Sequence, residues 1–124
     1  MSEREILFRG KRVDNGEWIE GYFLPGNERK SLHPCIFVYL PETQSFECFD
    51  IDIDTLGEYT GLTDKNGTRI FEGDIIEYEG GRYSINYLTH YARFSAVKPK
   101  TVFCVFAYQC GEVIGNIHDN GYPF

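Results

Sequence analysis

Residues 62–78 read LTDKNGTRIFEGDIIEY, and they set an Asp-Lys-Asn-Gly cluster ahead of a run that ends FEGDII. A calcium loop of the EF-hand kind needs oxygen ligands at alternate positions, glycine at the sixth and glutamate at the twelfth. Counting from Asp64 puts Arg69 and Ile75 at those places, and counting from Asp50 puts Thr55 and Gly61 there. A phosphate-cradling GxxxxGK followed by Ser or Thr is absent as well. What remains is mechanical. Asn66-Gly67 tolerates the positive φ of a tight reversal, Ile70 and Phe71 enter a core, and Gly73 allows a sharp bend before Asp74. The stretch predicts a hairpin.

The same grammar recurs on both sides. EILFRGKRVDNGEWIEGYFLP (5–25) reads as two strands reversed at Asp14-Asn15-Gly16, with Gly21 as a bulge. CIFVYLP (35–41) reads as a short buried strand. In FDIDID (49–54), Phe49, Ile51 and Ile53 alternate with Asp50, Asp52 and Asp54, which predicts opposite faces of one strand. EYEGGRYSINY predicts a strand through Tyr78, a turn at Gly80-Gly81 and a strand through Tyr83, Ile85 and Tyr87. TVFCVFAYQCGEVIGNI adds one or two more.

Composition agrees with this. The chain has 124 residues, enough for a single domain over 1–124, and it is 42% hydrophobic. Ten Phe and nine Tyr against one Met favour sheets over a helical bundle. The expected fold is mainly β, a small domain of short antiparallel strands, barrel-like or an SH3-like barrel. Tyr83, Tyr87, Tyr91 and Phe94 also fit a helical spacing, so one short helix within 84–110 is compatible with the pattern.

Charge is uneven. Residues 1–30 balance, residues 31–81 carry −9 and residues 82–124 carry +2, within a net charge of −7. An acidic middle repels phosphate and argues against a generic nucleic-acid binder. No apolar run approaches the ~20 residues of a membrane-spanning helix, and MSEREILFRGKR is no signal peptide, so a cytoplasmic protein is expected. Cys35, Cys48, Cys104 and Cys110 contain no CxxC pair and read as reduced, buried thiols, with Cys104 and Cys110 in one hydrophobic layer. With His33, His90 and His118 they lack the close ligand pairs of a zinc site.

RGKRVDNGEWIEGYF, then DTLGEYTGLTDKNGTRIFEGDII, then EVIGNI resemble the YopX family of phage and prophage proteins in order and spacing. The resemblance implies a small β-rich, self-associating protein encoded by phages or integrated elements, working in the bacterial host. It supplies no catalytic residue. The ending HDNGYPF departs from the family's more acidic tail.

Three constellations are candidate sites. Asp50, Asp52 and Asp54 are the weak candidates for a metal, against the plainer reading of a charged outer strand face. The patch Arg82, Tyr83, Tyr87, His90, Tyr91, Arg93, Phe94, Lys98 and Lys100 could stack and neutralise single-stranded nucleic acid, although the acidic middle disfavours this. Trp18, Tyr22, Tyr87, Tyr91, Arg93 and Phe94 are the candidate interface anchors, because Trp, Tyr and Arg dominate such contacts. The sequence therefore predicts a protein with no catalytic residues and no cofactor, acting by macromolecular binding as a homo-oligomer or on a phage or host protein. The alternative is a regulator of nucleic-acid transactions, by contact through 82–100 or by acidic phosphate mimicry through 42–79.

Overall fold

Alternating apolar side chains and Asn/Gly reversals produce strands almost throughout the computed structural model, which describes residues 5–30, 32–89, 93–97, 104, 105 and 110–119. These residues form ten strands, with a short 3-10 turn at Glu28–Lys30. Their order is β1 (Phe8–Arg12), β2 (Trp18–Leu24), β3 (Cys35–Leu40), β4 (Ser45–Thr63), β5 (Arg69–Phe71), β6 (Asp74–Tyr78), β7 (Gly81–Leu88), β8 (Arg93–Val97), β9 (Cys104–Val105) and β10 (Glu112–Asn116). The chain divides into two compact units, Met1–Glu58 and Tyr59–Phe124, and β4 runs from the first into the second.

In the first unit β1 pairs with β2, β2 with β3 and β3 with β4, all antiparallel, and β4 pairs back onto β1. The sheet is thereby closed into a ring, which leaves β1, β2 and β3 paired on both sides. Fully buried Ile36 and Ile51 fill the inside. Two glycines make room for them. A Cβ on Gly10 would meet Ile51 Cδ1 at 2.8 Å, and one on Gly21 would meet Ile36 Cγ2 at 2.8 Å. Gly21 is thus not the bulge its sequence suggests: β1 and β2 pair through it without a shift of register. It is glycine because β3 lies too close for a side chain.

The irregularity falls on β4 instead. Lys11 pairs with Asp52, but Arg9 pairs with Gly57, so β4 carries extra residues between those partners. Thr55 turns inward there. Its hydroxyl accepts from Lys11 N at 2.8 Å and donates to Asp52 O at 2.6 Å. This breaks the alternation expected over 49–54: Ile51 is buried, whereas Ile53 is 48% exposed.

The second unit holds a sheet ordered β10-β6-β7-β8-β9, together with β5 against the end of β4. Ile70, Ile76, Tyr83, Ile85, Phe94 and Ala96 form its core. The β6–β7 turn is Glu79-Gly80, one residue earlier than expected, and both residues have positive φ (49° and 79°). That is the geometry of a two-residue reversal whose twist matches its strands. Within 84–110 the described strand residues belong to β7, β8 and β9, and no α-helix is found among the described residues there. No described helix is long and apolar enough to cross a membrane.

Residues 62–78 are indeed a hairpin, with Thr63 paired to Arg69, but two carboxylates in it do more than face solvent. Asp64 is buried. Its Oδ1 accepts from Asn66 N (2.8 Å) and Thr68 N (2.9 Å), and its Oδ2 accepts from Val113 N (2.9 Å). The turn is so clamped to the start of β10, where Lys65 N also donates to Gly111 O. Burial alone pushes the Asp64 carboxyl up. The amides of Val113, Thr68 and Asn66, with Lys65 nearby, outweigh it and leave the group below its ordinary value.

A folded-state value below the unfolded one gives stability that is full above about pH 4 and is lost as pH falls through the folded value. Urea midpoints measured from pH 5 down to pH 2 should therefore fall for the wild type. Asp64→Asn, which cannot ionise, should start lower at pH 5 and flatten that slope. An unchanged slope would count against the clamp.

Candidate interaction face

Strand alternation sends residues 19, 21 and 23 of β2 inward and residues 18, 20, 22 and 24 outward. Cross-strand pairing then aligns the outward set. Tyr22 lies opposite Phe37, which lies opposite Cys48; Leu24 lies opposite Cys35, and Tyr39 opposite Phe46. The outer surface of β2, β3 and β4 is consequently aromatic. Phe37 and Phe46 are stacked with centroids 5.0 Å apart and planes 2° from parallel, and Tyr39 tilts onto Phe46 at 5.0 Å. Tyr22 is 63% exposed, Phe46 59%, Tyr39 49% and Leu24 45%. Taking roughly 150–250 Å² for a large side chain, these four and Phe37 leave about 400–500 Å² of ring and aliphatic surface in water. That is the size of the largest patch on an ordinary monomer, and such patches are commonly functional.

At one margin Arg9 and Lys11 of β1 sit over the Trp18 ring, 4.4 and 5.3 Å from its centroid. This covers Trp18, which is half-buried, so the exposed aromatic contribution of β2 comes from Tyr22. Glu20 and Asp50 are the exposed acids on the same surface.

The other expected anchors separate. Tyr87 is exposed on β7 and Arg93 is exposed on β8, but Phe94 is buried with the core residues and meets Tyr87 edge-on at 5.2 Å. Phe94 is therefore a core residue and not an anchor: β8 turns 94 and 96 toward Ile85 and Ile76. Tyr91, His90, Lys98 and Lys100 lie outside the described residues, as do the side chain of Cys104 and the end of the HDNGYPF tail. Cys48 and Cys110 are exposed, contrary to the expectation of buried thiols, because β4 turns position 48 outward and Cys110 precedes β10.

Asp50, Asp52 and Asp54 are all exposed. Asp52 Oδ1 accepts from Asp54 N at 3.1 Å, which ties it to the irregular stretch of β4. Among the described residues, no three carboxylate, imidazole or thiol groups converge to hold a cation. An open groove of about 640 Å³ in the first unit is lined by Val13, Leu32, His33, Pro34, Ile51 and Ile53, with Lys11, Arg12 and Asp52 beside them. Arg12 is held by Asp14 through two hydrogen bonds, 2.9 and 2.6 Å, and its guanidinium lies over Phe49. The groove combines aliphatic contact with the charged side chains of Lys11, Arg12 and Asp52.

Ring closure of a small antiparallel sheet defines a mainly β protein, and its outer face carries exposed aromatic side chains. A model of the YopX protein family matches residues 7–122, and the chain belongs to that family. A solved structure, that of protein EF1440 from Enterococcus faecalis, is similar at 26% identity over 95% of this chain and 96% of that one, with a TM-score of 0.57. A comparison with curated proteins returned no match.

Proposed function

We propose that this is a cytosolic, non-enzymatic binding protein that self-associates through the outer face of β2, β3 and β4. The supporting observation is that β3 is apolar on both sides: Ile36 is fully buried inside the ring, while Phe37 and Tyr39 meet Phe46 on the outside. A strand apolar on both faces is ordinarily covered on both. About 450 Å² per copy, at ~25 cal/mol per Å², gives roughly 20 kcal/mol gross for two copies. Association costs on the order of 4–15 kcal/mol, so a complex in the micromolar range is within reach.

Two copies of a chain with net charge −7 repel, so added salt should tighten the assembly rather than loosen it. Sedimentation of the wild type at tens of micromolar should show oligomer, increasing with salt. Phe46→Asp, which places a charge at the stacked pair, should weaken association at least tenfold. Wild type that remains monomeric under these conditions would remove this reading.

A further inference from the structure

We infer that Cys35 and Cys48 form a dithiol pair that a low-molecular-weight disulfide converts to an intramolecular disulfide. Cys35 pairs with Asp50, and its neighbour on the same face, Phe37, pairs with Cys48. The two cysteines are thus diagonal partners on one side of adjacent strands. Both are free, one buried and one exposed. The Cys48 thiol is near enough to be among the groups that raise the Cys35 thiol, as the diagonal register places it.

Diagonal positions on an antiparallel pair stand about 7–8 Å apart at Cα, and a disulfide needs at most about 6.8 Å. Closing the bond asks for about one ångström of movement. The β3–β4 hairpin has its reversal only a few residues away, at 41–44, and can take up such a shift.

The two thiols have different roles. Cys48 is in water, where a small disulfide can reach it. Burial, together with Cys48 and Asp50 nearby, pushes the Cys35 thiol up to about 11, so it is not the first to react. The Cys48 thiolate attacks RSSR, forming a mixed disulfide and expelling one RS⁻, which takes up a proton. Cys35 then loses its proton and attacks the Cys48 sulfur, forming the internal bond and expelling the second RS⁻. Two protein thiols are oxidised and RSSR is reduced to two RSH.

The test is peptide mapping of the full chain after exposure to oxidised glutathione, in dilute solution, without reductant during digestion. The expected result is a peptide linking Cys35 to Cys48, with both thiols lost and both restored by dithiothreitol. Cys35→Ser should stop at glutathione on Cys48, and Cys48→Ser should leave Cys35 unmodified. A wild-type chain that also stops at glutathione on Cys48 would overturn the pairing. So would bonds that engage Cys104 or Cys110, or that join two chains. The readout is the linkage itself, so its failure is distinct from a failure to self-associate.

Discussion

Replacing Asp74 by alanine should lower the thermal unfolding midpoint by about 10–20 °C, which corresponds to a loss of roughly 3–5 kcal/mol. Asp74 is only 1% exposed. Its Oδ2 accepts from Phe71 N at 2.8 Å and its Oδ1 from Asn116 Nδ2 at 3.0 Å. Asn116, itself buried, continues the chain of bonds: its Oδ1 accepts from His118 N at 3.0 Å, and its own N–H donates to Asp119 Oδ2 at 2.9 Å. Alanine leaves a backbone N–H and a side-chain amide buried without these acceptors, and each such group costs on the order of 1–3 kcal/mol.

The bond also joins the end of the β5–β6 turn to the end of β10. At that turn Gly73 has a φ of 90°, and a Cβ there would meet Asn116 Nδ2 at 3.2 Å. Asn116→Ala should cost less than Asp74→Ala, and the double variant should cost less than the sum, since both remove the same bond. Circular dichroism melts of the four proteins check this. A drop below about 4 °C for Asp74→Ala would show that the network adds little.

This network also marks how far the sequence could be read. The turns were legible because Asn66-Gly67 and Gly73 announce their backbone conformations locally. The strands were legible because period-two alternation needs no knowledge of a partner. What Asp64 and Asp74 do was not legible, because a carboxylate near a turn reads as solvent-facing unless its donors are known. Those donors include Val113 and Asn116, 49 and 42 residues away. The FEGDII and EVIGNI segments carried the family resemblance, and their meeting in the β6–β10 pairing is a tertiary fact.

The aromatic face was half visible. Tyr22 stands out as an anchor, but Phe37 and Tyr39 are missed because CIFVYLP reads as a short buried strand, and Phe46 is missed because it lies beyond the turn that follows it. The signal was present in the alternation of Ile36, Val38 and Leu40 with Phe37 and Tyr39, which are two separate apolar stripes. The regular row expected for Asp50, Asp52 and Asp54 failed for another reason. Thr55 satisfies the backbone at an irregularity imposed by β1, and no period within β4 encodes that.

Gly21→Ala should destabilise the protein by at least about 3 kcal/mol, although alanine in an unconstrained strand would gain roughly 0.5–1 kcal/mol over glycine. The sign turns on the space. A Cβ at position 21 would run into the carbonyl oxygen of Phe37 and lie 2.8 Å from Ile36 Cγ2 and 3.1 Å from Val38 Cγ2. A flexible side chain could move aside, but a backbone carbonyl on the neighbouring strand cannot move without separating β2 from β3. Because β2 is paired on both sides within a closed ring, that separation would also strain its pairing with β1. The outer face would suffer with it, since Tyr22 and Phe37 are cross-strand partners. The variant should therefore lose both stability in urea and self-association at equal concentration, while Glu20→Ala, on an exposed neighbouring position, should stay within about 0.5 kcal/mol of wild type. Gly21→Ala with a urea midpoint equal to that of Glu20→Ala would mean that β2 and β3 are not held as closely as the packing of Ile36 against Gly21 requires.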